Sequence, residues 1–193
     1  MRMFLSKKSG FTLMEMIIVI IIIAVLSAFA VPSYLLAVER MQMAEADMLM
    51  GNTSRSQERY KLRMGGRYAR HWGQLDSAPP ALYGPAGLGY TTYCSKDSEQ
   101  PEDGNCVSKG FKIVLYSTEF GGRGEGVVAE RVNSKNYGYK LARLYEDKDT
   151  VYCAAGDEHT ENDQRACADF LGLDEYDPSG EEVIATIEAL AEE

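Results

Sequence analysis

An uninterrupted apolar run from Met16 to Val31 constrains this chain more than any other feature. Ser27 is its only polar residue. Because a helix over this run is apolar on every side, it does not suit the surface of a soluble domain. From Phe11 to Val31 the helix would be about 31 Å long at about 1.5 Å per residue, and a bilayer hydrocarbon core is about 30 Å thick. The run therefore predicts one membrane-spanning segment.

Glu15 lies at the edge of this run. A central acid in a membrane helix costs about 2.5 to 3.5 kcal/mol even on the lenient insertion scale, so Glu15 is expected to have a positively charged partner. A cut after Gly10 would create one, the free amine of Phe11. The pair could form within one chain or between staggered neighbouring chains.

The segment Gly10 to Glu15, followed by an apolar helix, resembles the amino terminus of type IV prepilins and of the related pseudopilins. The resemblance implies that residues 1–10 are a leader, that a prepilin peptidase cleaves between Gly10 and Phe11, and that Phe11 is then N-methylated. It also implies that Glu15 neutralises the terminal amine of an adjacent subunit during assembly. Pro32 matches the family proline; it has no N–H for the Ala28 carbonyl, which favours a kink or local melting.

Two other interpretations explain only the apolar run. A secretory signal peptide could be cut near Ala28 to Ala30, but Glu15 and Pro32 argue against it. A simple membrane anchor would not explain why an acid, Glu15, lies at the edge of the apolar run. Both the anchor and the prepilin place the amino terminus in the cytoplasm, because the residues before the run carry positive charge: Arg2, Lys7 and Lys8.

The remaining chain predicts an α+β fold. Residues 11–33 form the transmembrane and filament-core helix, and residues 34–193 form an extracytoplasmic head domain. The helix continues to about Met64 and ends at Gly65 and Gly66. After a long connection over residues 73–110, four strand-like runs cover residues 111–118, 126–133, 137–145 and 150–154. The long helix should pack on this four-stranded antiparallel sheet, as the family resemblance also implies.

Apolar side chains form two stripes on the second part of the long helix. The first is predicted to face the sheet and contains Leu35, Val38, Met41, Met48 and Leu49. The second lies on the opposite side and is predicted to touch neighbouring subunits; it contains Leu36, Met43 and Met50. A short acidic helix is predicted over residues 180–193, packed on the domain or placed at a subunit contact.

The four cysteines all follow the membrane segment, at Cys94, Cys106, Cys153 and Cys167. An even number of cysteines in a translocated domain predicts two disulfides with three possible connectivities. We favour Cys94 with Cys106 and Cys153 with Cys167, because each pair closes a local loop. The second pair would bound a carboxy-terminal loop like that of many type IV pilins. Zinc is disfavoured because no pair has the CxxC spacing.

One basic cluster follows the middle of the long helix and consists of Arg55, Arg59, Lys61, Arg63, Arg67 and Arg70. Tyr60, Tyr68 and Trp72 are interleaved with it, so the cluster could bind DNA. The alternative is that it meets an acidic surface on a neighbouring subunit or the acidic tail. The net charge of -9, which becomes -12 when a leader carrying three positive charges is removed, opposes long-range attraction to nucleic acid.

Acidic residues gather in three groups: Asp97, Glu99, Glu102 and Asp103; Asp157, Glu158, Glu161 and Asp163; and Asp174, Glu175 and Asp177. None has the spacing of a calcium-binding EF-hand loop, so we interpret all three groups as solvated loop surface and not as a calcium site. No metal or other cofactor is predicted. No phosphate-binding loop or nucleophile motif is present, so an enzyme is not predicted.

These features predict a structural subunit of a type IV pilus that assembles through its apolar helix. Its expected partners are other pilin subunits, prepilin peptidase and the assembly machinery of the inner membrane. It would be a single-pass inner-membrane precursor and then part of an extracellular pilus or a periplasmic pseudopilus. The alternatives are a surface-displayed minor pilin that binds DNA or a host surface, and a pseudopilin of a type II secretion system.

Overall fold

The computed structural model describes residues 11–76, 106–108, 110–118, 124–132, 134–147, 149–158 and 160–190. The chain divides into two units, Met1–Glu39 and Arg40–Glu193. Helix α1, Leu13–Arg63, begins in the first unit and ends in the second. The other elements all belong to the second unit: a 3-10 turn Trp72–Gln74, strands β1 Cys106–Ser108, β2 Phe111–Tyr116, β3 Gly126–Arg131, β4 Lys140–Leu144 and β5 Tyr152–Ala154, and helices α2 Thr160–Leu171 and α3 Ser179–Ala189.

The first unit contains the apolar part of α1. This helix is long and apolar enough to cross a membrane, and its most apolar stretch is not buried within the chain. Pro32 lies inside α1, which continues through it. Local melting at Pro32 is therefore not present in this structure, and a kink there stays a prediction. The Ser33 hydroxyl donates a hydrogen bond to the Phe29 carbonyl at 3.3 Å.

The carboxyl end of α1 is closed by two glycines, as the sequence predicts. Gly65 and Gly66 have φ angles of 67° and 101°, in the region that glycine adopts without a steric penalty. Gly66 donates its N–H to the Lys61 carbonyl at 2.9 Å, which is the six-residue bond of a Schellman cap. The helix therefore ends inside the basic cluster, between Arg63 and Arg67.

The sheet is an antiparallel meander with its strands in chain order, β1 to β5. The predicted α+β fold and its four-stranded sheet are confirmed as β2, β3, β4 and β5. Strand β1 adds a short edge strand, paired with β2 from Cys106 opposite Ile113 to Ser108 opposite Phe111. Residues 106–108 belong to the predicted long connection, of which residues 77–105 lie outside the described part of the chain.

One face of the sheet packs against residues 40–63 of α1. The buried helix side chains include Met43, Ala46, Leu49 and Met50, and the facing sheet residues include Phe111, Ile113, Leu115, Val127, Ala129 and Leu141. The predicted sheet-facing stripe is right for Leu49, which is buried, and wrong for its two methionines. Met41 and Met48 are 73% and 67% exposed, whereas Met43 and Met50 are fully buried.

The buried face of α1 follows the spacing 43, 46, 50, 53 and 57. Small and polar residues occupy three of these positions: Ala46, Thr53 and Gln57. A prediction that considers only large apolar residues therefore selects the wrong face of the helix. Ala46 is fully buried, which lets the helix approach the sheet closely. The Thr53 hydroxyl donates to the Leu49 carbonyl at 2.9 Å, so its burial leaves no polar atom without a partner.

The other face of the sheet is covered by α3. Ile184 and Ile187 are buried against Val128, Ala142 and Ala154. Gly180 allows the start of α3 to lie directly on β5, since a Cβ at this position would be 2.2 Å from the Cys153 carbonyl oxygen. The predicted carboxy-terminal helix therefore packs on its own domain, and the sheet lies between two helices.

Helix α2 begins between the two cysteines that were predicted to bound a loop, and it contains the second of them. Cys153 of β5 and Cys167 of α2 form a disulfide. Thr160–Leu171 is helical, so much of the expected loop is a packed element with Ala166 and Cys167 in the core. Arg40 near the middle of α1 forms an ion pair with Asp169 of α2.

Candidate functional site

The amino-terminal end of α1 brings together two residues of the predicted processing signal. The Glu15 backbone N–H donates to the Thr12 hydroxyl at 3.2 Å. Thr12 is thus the N-cap of α1, and Glu15 occupies the third helical position. Thr-x-x-Glu is the pattern of a capping box, in which the Glu side chain can return a hydrogen bond to the N-cap backbone N–H. Thr12 is not among the predicted site residues, although the Thr-x-x-Glu pattern was the available signal.

The charge of Glu15 suits its position at the start of α1. A carboxylate in the first helical turn is stabilised by the positive end of the helix dipole. Its side chain is exposed, and no described cation forms an ion pair with it. Phe11 lies just before the cap and is 77% exposed. A cut before Phe11 would place a new amine one residue before the N-cap, within one turn of Glu15.

The apolar surface behind this end of the helix is large. Every residue from Phe11 to Val31 is exposed, including Ile20, Leu26 and Phe29 at 62%, 63% and 77%. At about 25 cal/mol for each Å² of apolar area, such a surface is unstable in water and requires either lipid or other helices around it. Gly10 lies outside the described residues, and Pro32 is exposed within α1.

The basic cluster does not form an aromatic platform on which the bases of single-stranded DNA could stack. Tyr68 and Trp72 are 6% and 3% exposed. Tyr68 packs against the Tyr145 ring with a centroid distance of 4.7 Å, and Lys61 donates to its hydroxyl at 2.9 Å. Two of the three interleaved aromatic residues are therefore part of the core and cannot stack on bases.

Arg59 of the cluster is held by a nearby acid. Its Nε and one terminal nitrogen donate to the Asp76 carboxylate at 2.6 and 2.7 Å. These two hydrogen bonds from Arg59, and a third from the Ser56 hydroxyl, hold the pKa of Asp76 well below its usual range. The remaining arginines of the cluster are exposed: Arg55, Arg63, Arg67 and Arg70.

The predicted acidic groups have different environments. Asp97, Glu99, Glu102 and Asp103 lie outside the described residues. Asp157 and Glu158 are exposed, but Asp163 is fully buried in α2 and not on a solvated loop. It accepts hydrogen bonds from the backbone N–H groups of Gly138 and Gly156, each at 3.0 Å to the nearer oxygen. Among the described residues, no group of acids, histidines or cysteines has a geometry suited to a metal ion.

The cysteine predictions are resolved for one pair. Cys153 and Cys167 are joined, with a Cα to Cα distance of 5.6 Å. Cys94 and the side chain of Cys106 lie outside the described part of the structure. The disulfide between Cys94 and Cys106 therefore stays a prediction.

Residues 5–31 match the family model of the prokaryotic N-terminal methylation motif. This motif is the cleavage and methylation signal of type IV prepilins, and it implies processing by prepilin peptidase. Together with the apolar helix it fits a membrane-anchored precursor of the pilin or pseudopilin type. Comparison with curated proteins and with solved structures gives no match.

Proposed function

We propose that this protein is a structural subunit of a type IV pilus. The observation that carries the proposal is the continuous exposed apolar surface of residues 11–31, with the single acid Glu15 at its start. Before assembly, the bilayer covers this surface. After cleavage, the same surface packs against the helices of other subunits in the filament core, and the second unit forms the outer coat.

Glu15 acts in this scheme through its charge. Removal of residues 1–10 creates a positively charged amine on Phe11, which stays charged after methylation to a secondary amine. In an apolar core the attraction between this amine and a carboxylate is much stronger than in water. An incoming subunit whose amine meets Glu15 of its neighbour is therefore held at the correct axial position, because any other position leaves both charges unpaired.

The experiment must separate this charge from the capping function of the same residue. Glu15→Gln removes the charge but keeps a side chain suited to the capping box. Thr12→Ala removes the cap, at a cost of about 1 kcal/mol, but keeps the charge. We expect Glu15→Gln to be cleaved normally and to give a loss of sheared filaments of about tenfold or more. Thr12→Ala should still assemble.

The amino terminus of the cleaved chain and the filament yield are both measured, by mass spectrometry and by shearing. Normal filaments from Glu15→Gln would contradict the proposed role of the charge. If Thr12→Ala fails and Glu15→Gln assembles, the cap would be the important feature and the charge would not.

A pseudopilin of a type II secretion system is the second candidate, because its precursor carries the same signal. The abundance of the processed chain distinguishes the candidates. A dominant sheared protein that begins with methylated Phe11 supports a major pilin, and a trace amount supports a minor pilin. Processed chain in the membrane, with none in the sheared fraction, supports the pseudopilin.

A further inference from the structure

A cleft of about 540 Å³ opens between α3 and the ends of β3, β4 and β5. Its volume lies within the range of about 300 to 1,000 Å³ that is typical of binding sites. Five carboxylates line it: Glu130, Asp157, Glu158, Glu181 and Glu188. Arg131 and Lys140 also line it, so the lining has three more acids than bases. We call this site the acidic cleft.

The two cations of the acidic cleft already have partners. Lys140 forms an ion pair with Glu188 at 2.6 Å. Arg131 donates to the Gly110 carbonyl at 3.0 Å and lies over the Phe111 ring at 5.3 Å. Asp157 and Glu158 are exposed, and no described residue forms an ion pair with either. The cleft therefore has unneutralised negative charge directed to solvent.

The rest of the lining suits the stem of a long cationic side chain. Ala154, Ile184 and Ala185 contribute apolar surface beside the carboxylates. Arginine and lysine bury an aliphatic stem against such surface and keep the charged group at its edge. Arginine also presents several N–H donors to carboxylates in a fixed plane.

Exposed arginines of this kind are found at the opposite end of the same unit. The basic cluster lies near the carboxyl end of β2. Ala69, which is next to Arg70 of the cluster, accepts a hydrogen bond at 2.9 Å from Ser117, the residue that follows β2. There Gly126 of β3 pairs with Tyr116, whereas the acidic cleft is at the Arg131 end of β3. Five residue steps at about 3.3 Å separate these ends by about 17 Å. One chain therefore cannot join its own cluster to its own cleft.

We propose that the acidic cleft of one subunit receives the basic cluster of a second copy of this chain. The two surfaces are different and lie at opposite ends of the unit, so the contact is head-to-tail. A head-to-tail contact that does not close into a ring produces an open helical filament. This inference rests on the proposed function, and it assigns a contact between the outer domains in addition to the apolar core.

The experiment reverses charge on each side and then on both. Asp157→Lys with Glu158→Lys reverses the acidic cleft. Changing the four exposed arginines of the basic cluster to Glu reverses that cluster without touching the paired Arg59: Arg55, Arg63, Arg67 and Arg70. Asp174→Lys with Glu175→Lys is the matched control, since these acids are exposed and do not line the cleft. Full-length chains are expressed in cells that make filaments, and processed chain and sheared filaments are quantified.

Each reversal should lower the filament yield by about tenfold or more, because like charges then face each other at the contact. Processed chain should accumulate in the membrane. The chain that carries both reversals should recover most of the wild-type yield, which a misfolded variant cannot do. The control pair should assemble normally and should not rescue the cluster reversal.

Normal filaments from either single-side reversal would overturn the inference and leave the proposed function intact. So would a failure of the double reversal to recover the yield. Loss of DNA capture with normal filaments in the cluster reversal would assign the basic cluster to nucleic acid and also overturn it. A wild-type chain that is processed but never found in filaments would instead remove the proposed function, and the inference with it.

Discussion

Gln57 and Tyr145 are joined by a buried hydrogen bond, in which the Gln57 side-chain amide donates to the Tyr145 hydroxyl at 3.2 Å. The same amide donates to the Ala69 carbonyl at 2.9 Å and accepts from the Ala69 N–H at 2.7 Å. Gln57 thus fastens the last turns of α1 both to the segment that follows β4 and to the segment that precedes the 3-10 turn. Because Gln57 and Ala69 lie among the residues of the basic cluster, these hydrogen bonds fix the position of that cluster on the second unit.

Gln57→Leu should lower the free energy of unfolding by about 2 to 4 kcal/mol. It leaves the buried Ala69 N–H without its partner and removes the hydrogen bond to Tyr145. Urea unfolding of the full chain in detergent can be followed by the fluorescence of Trp72, which is the only tryptophan and is buried in the same core. Asn52→Leu is the control, because Asn52 is exposed on the same helix. Equal stability of the two variants would contradict this account.

Met43→Ala and Met48→Ala test the orientation of α1 on the sheet. Met43 is fully buried and Met48 is 67% exposed. Truncation of a buried methionine costs about 2 to 5 kcal/mol, and an exposed substitution usually changes stability by less than about 0.5 kcal/mol. The same Trp72 signal measures both variants. The reverse ranking would show that the helix presents its other face to the sheet.

The sequence predicts the strands well because their side chains alternate. Phe111, Ile113 and Leu115 are buried, and Lys112, Val114 and Tyr116 between them are less so. The orientation of α1 could not be obtained from the same kind of count. The buried face includes Ala46, Thr53 and Gln57, and polar residues become acceptable there only through partners such as Ala69, which is twelve residues away.

The sequence did contain a pattern indicating that the second face of the sheet is also packed against another element. Val127, Val128 and Ala129 of β3 are consecutive and all buried, which is the pattern of a strand covered on both sides. Helix α2 was harder to predict, because Thr160–Leu171 is rich in polar residues and one of its buried residues is an acid, Asp163. The candidate processing site is easier to predict than α2, because its motif lies in one short segment and depends on no distant contact.

Asp163→Ala should destabilise the second unit by about 2 to 4 kcal/mol. Its carboxylate joins α2 to the approach to β4 and to the segment after β5 by accepting from Gly138 and Gly156. Without it, two backbone N–H groups lose their partners. Asp163→Asn keeps one acceptor oxygen and should fall between the wild type and Asp163→Ala. Glu161→Ala, an exposed change on the same helix, should have little effect. Urea unfolding with the disulfide intact is the measurement.

Stability should fall as the pH rises above about 10. Burial raises the pKa of Tyr116 to about 12, and burial together with the neighbouring Glu181 raises the pKa of Tyr176 to about 12. Burial also raises the pKa of Tyr145 well above its usual range. Each tyrosine keeps its proton longer in the folded chain than in the unfolded one. The unfolded state therefore binds fewer protons between pH 10 and 12, and the free energy of unfolding decreases with pH in that window.

Tyr176 offers the sharpest test of this pH dependence, because its hydroxyl is placed by two contacts on one side of the unit. It accepts from the Ala155 N–H at 3.0 Å and donates to Glu181 at 2.8 Å. Above pH 10, the slope of the free energy of unfolding against pH should become less steep in Tyr176→Phe. The change should correspond to up to about one proton per molecule. Glu181→Gln should produce part of that change, since it keeps an acceptor oxygen but removes the charge that opposes ionisation. Urea unfolding at several pH values measures the slope, and an unchanged slope in Tyr176→Phe would show that this hydroxyl ionises equally in both states.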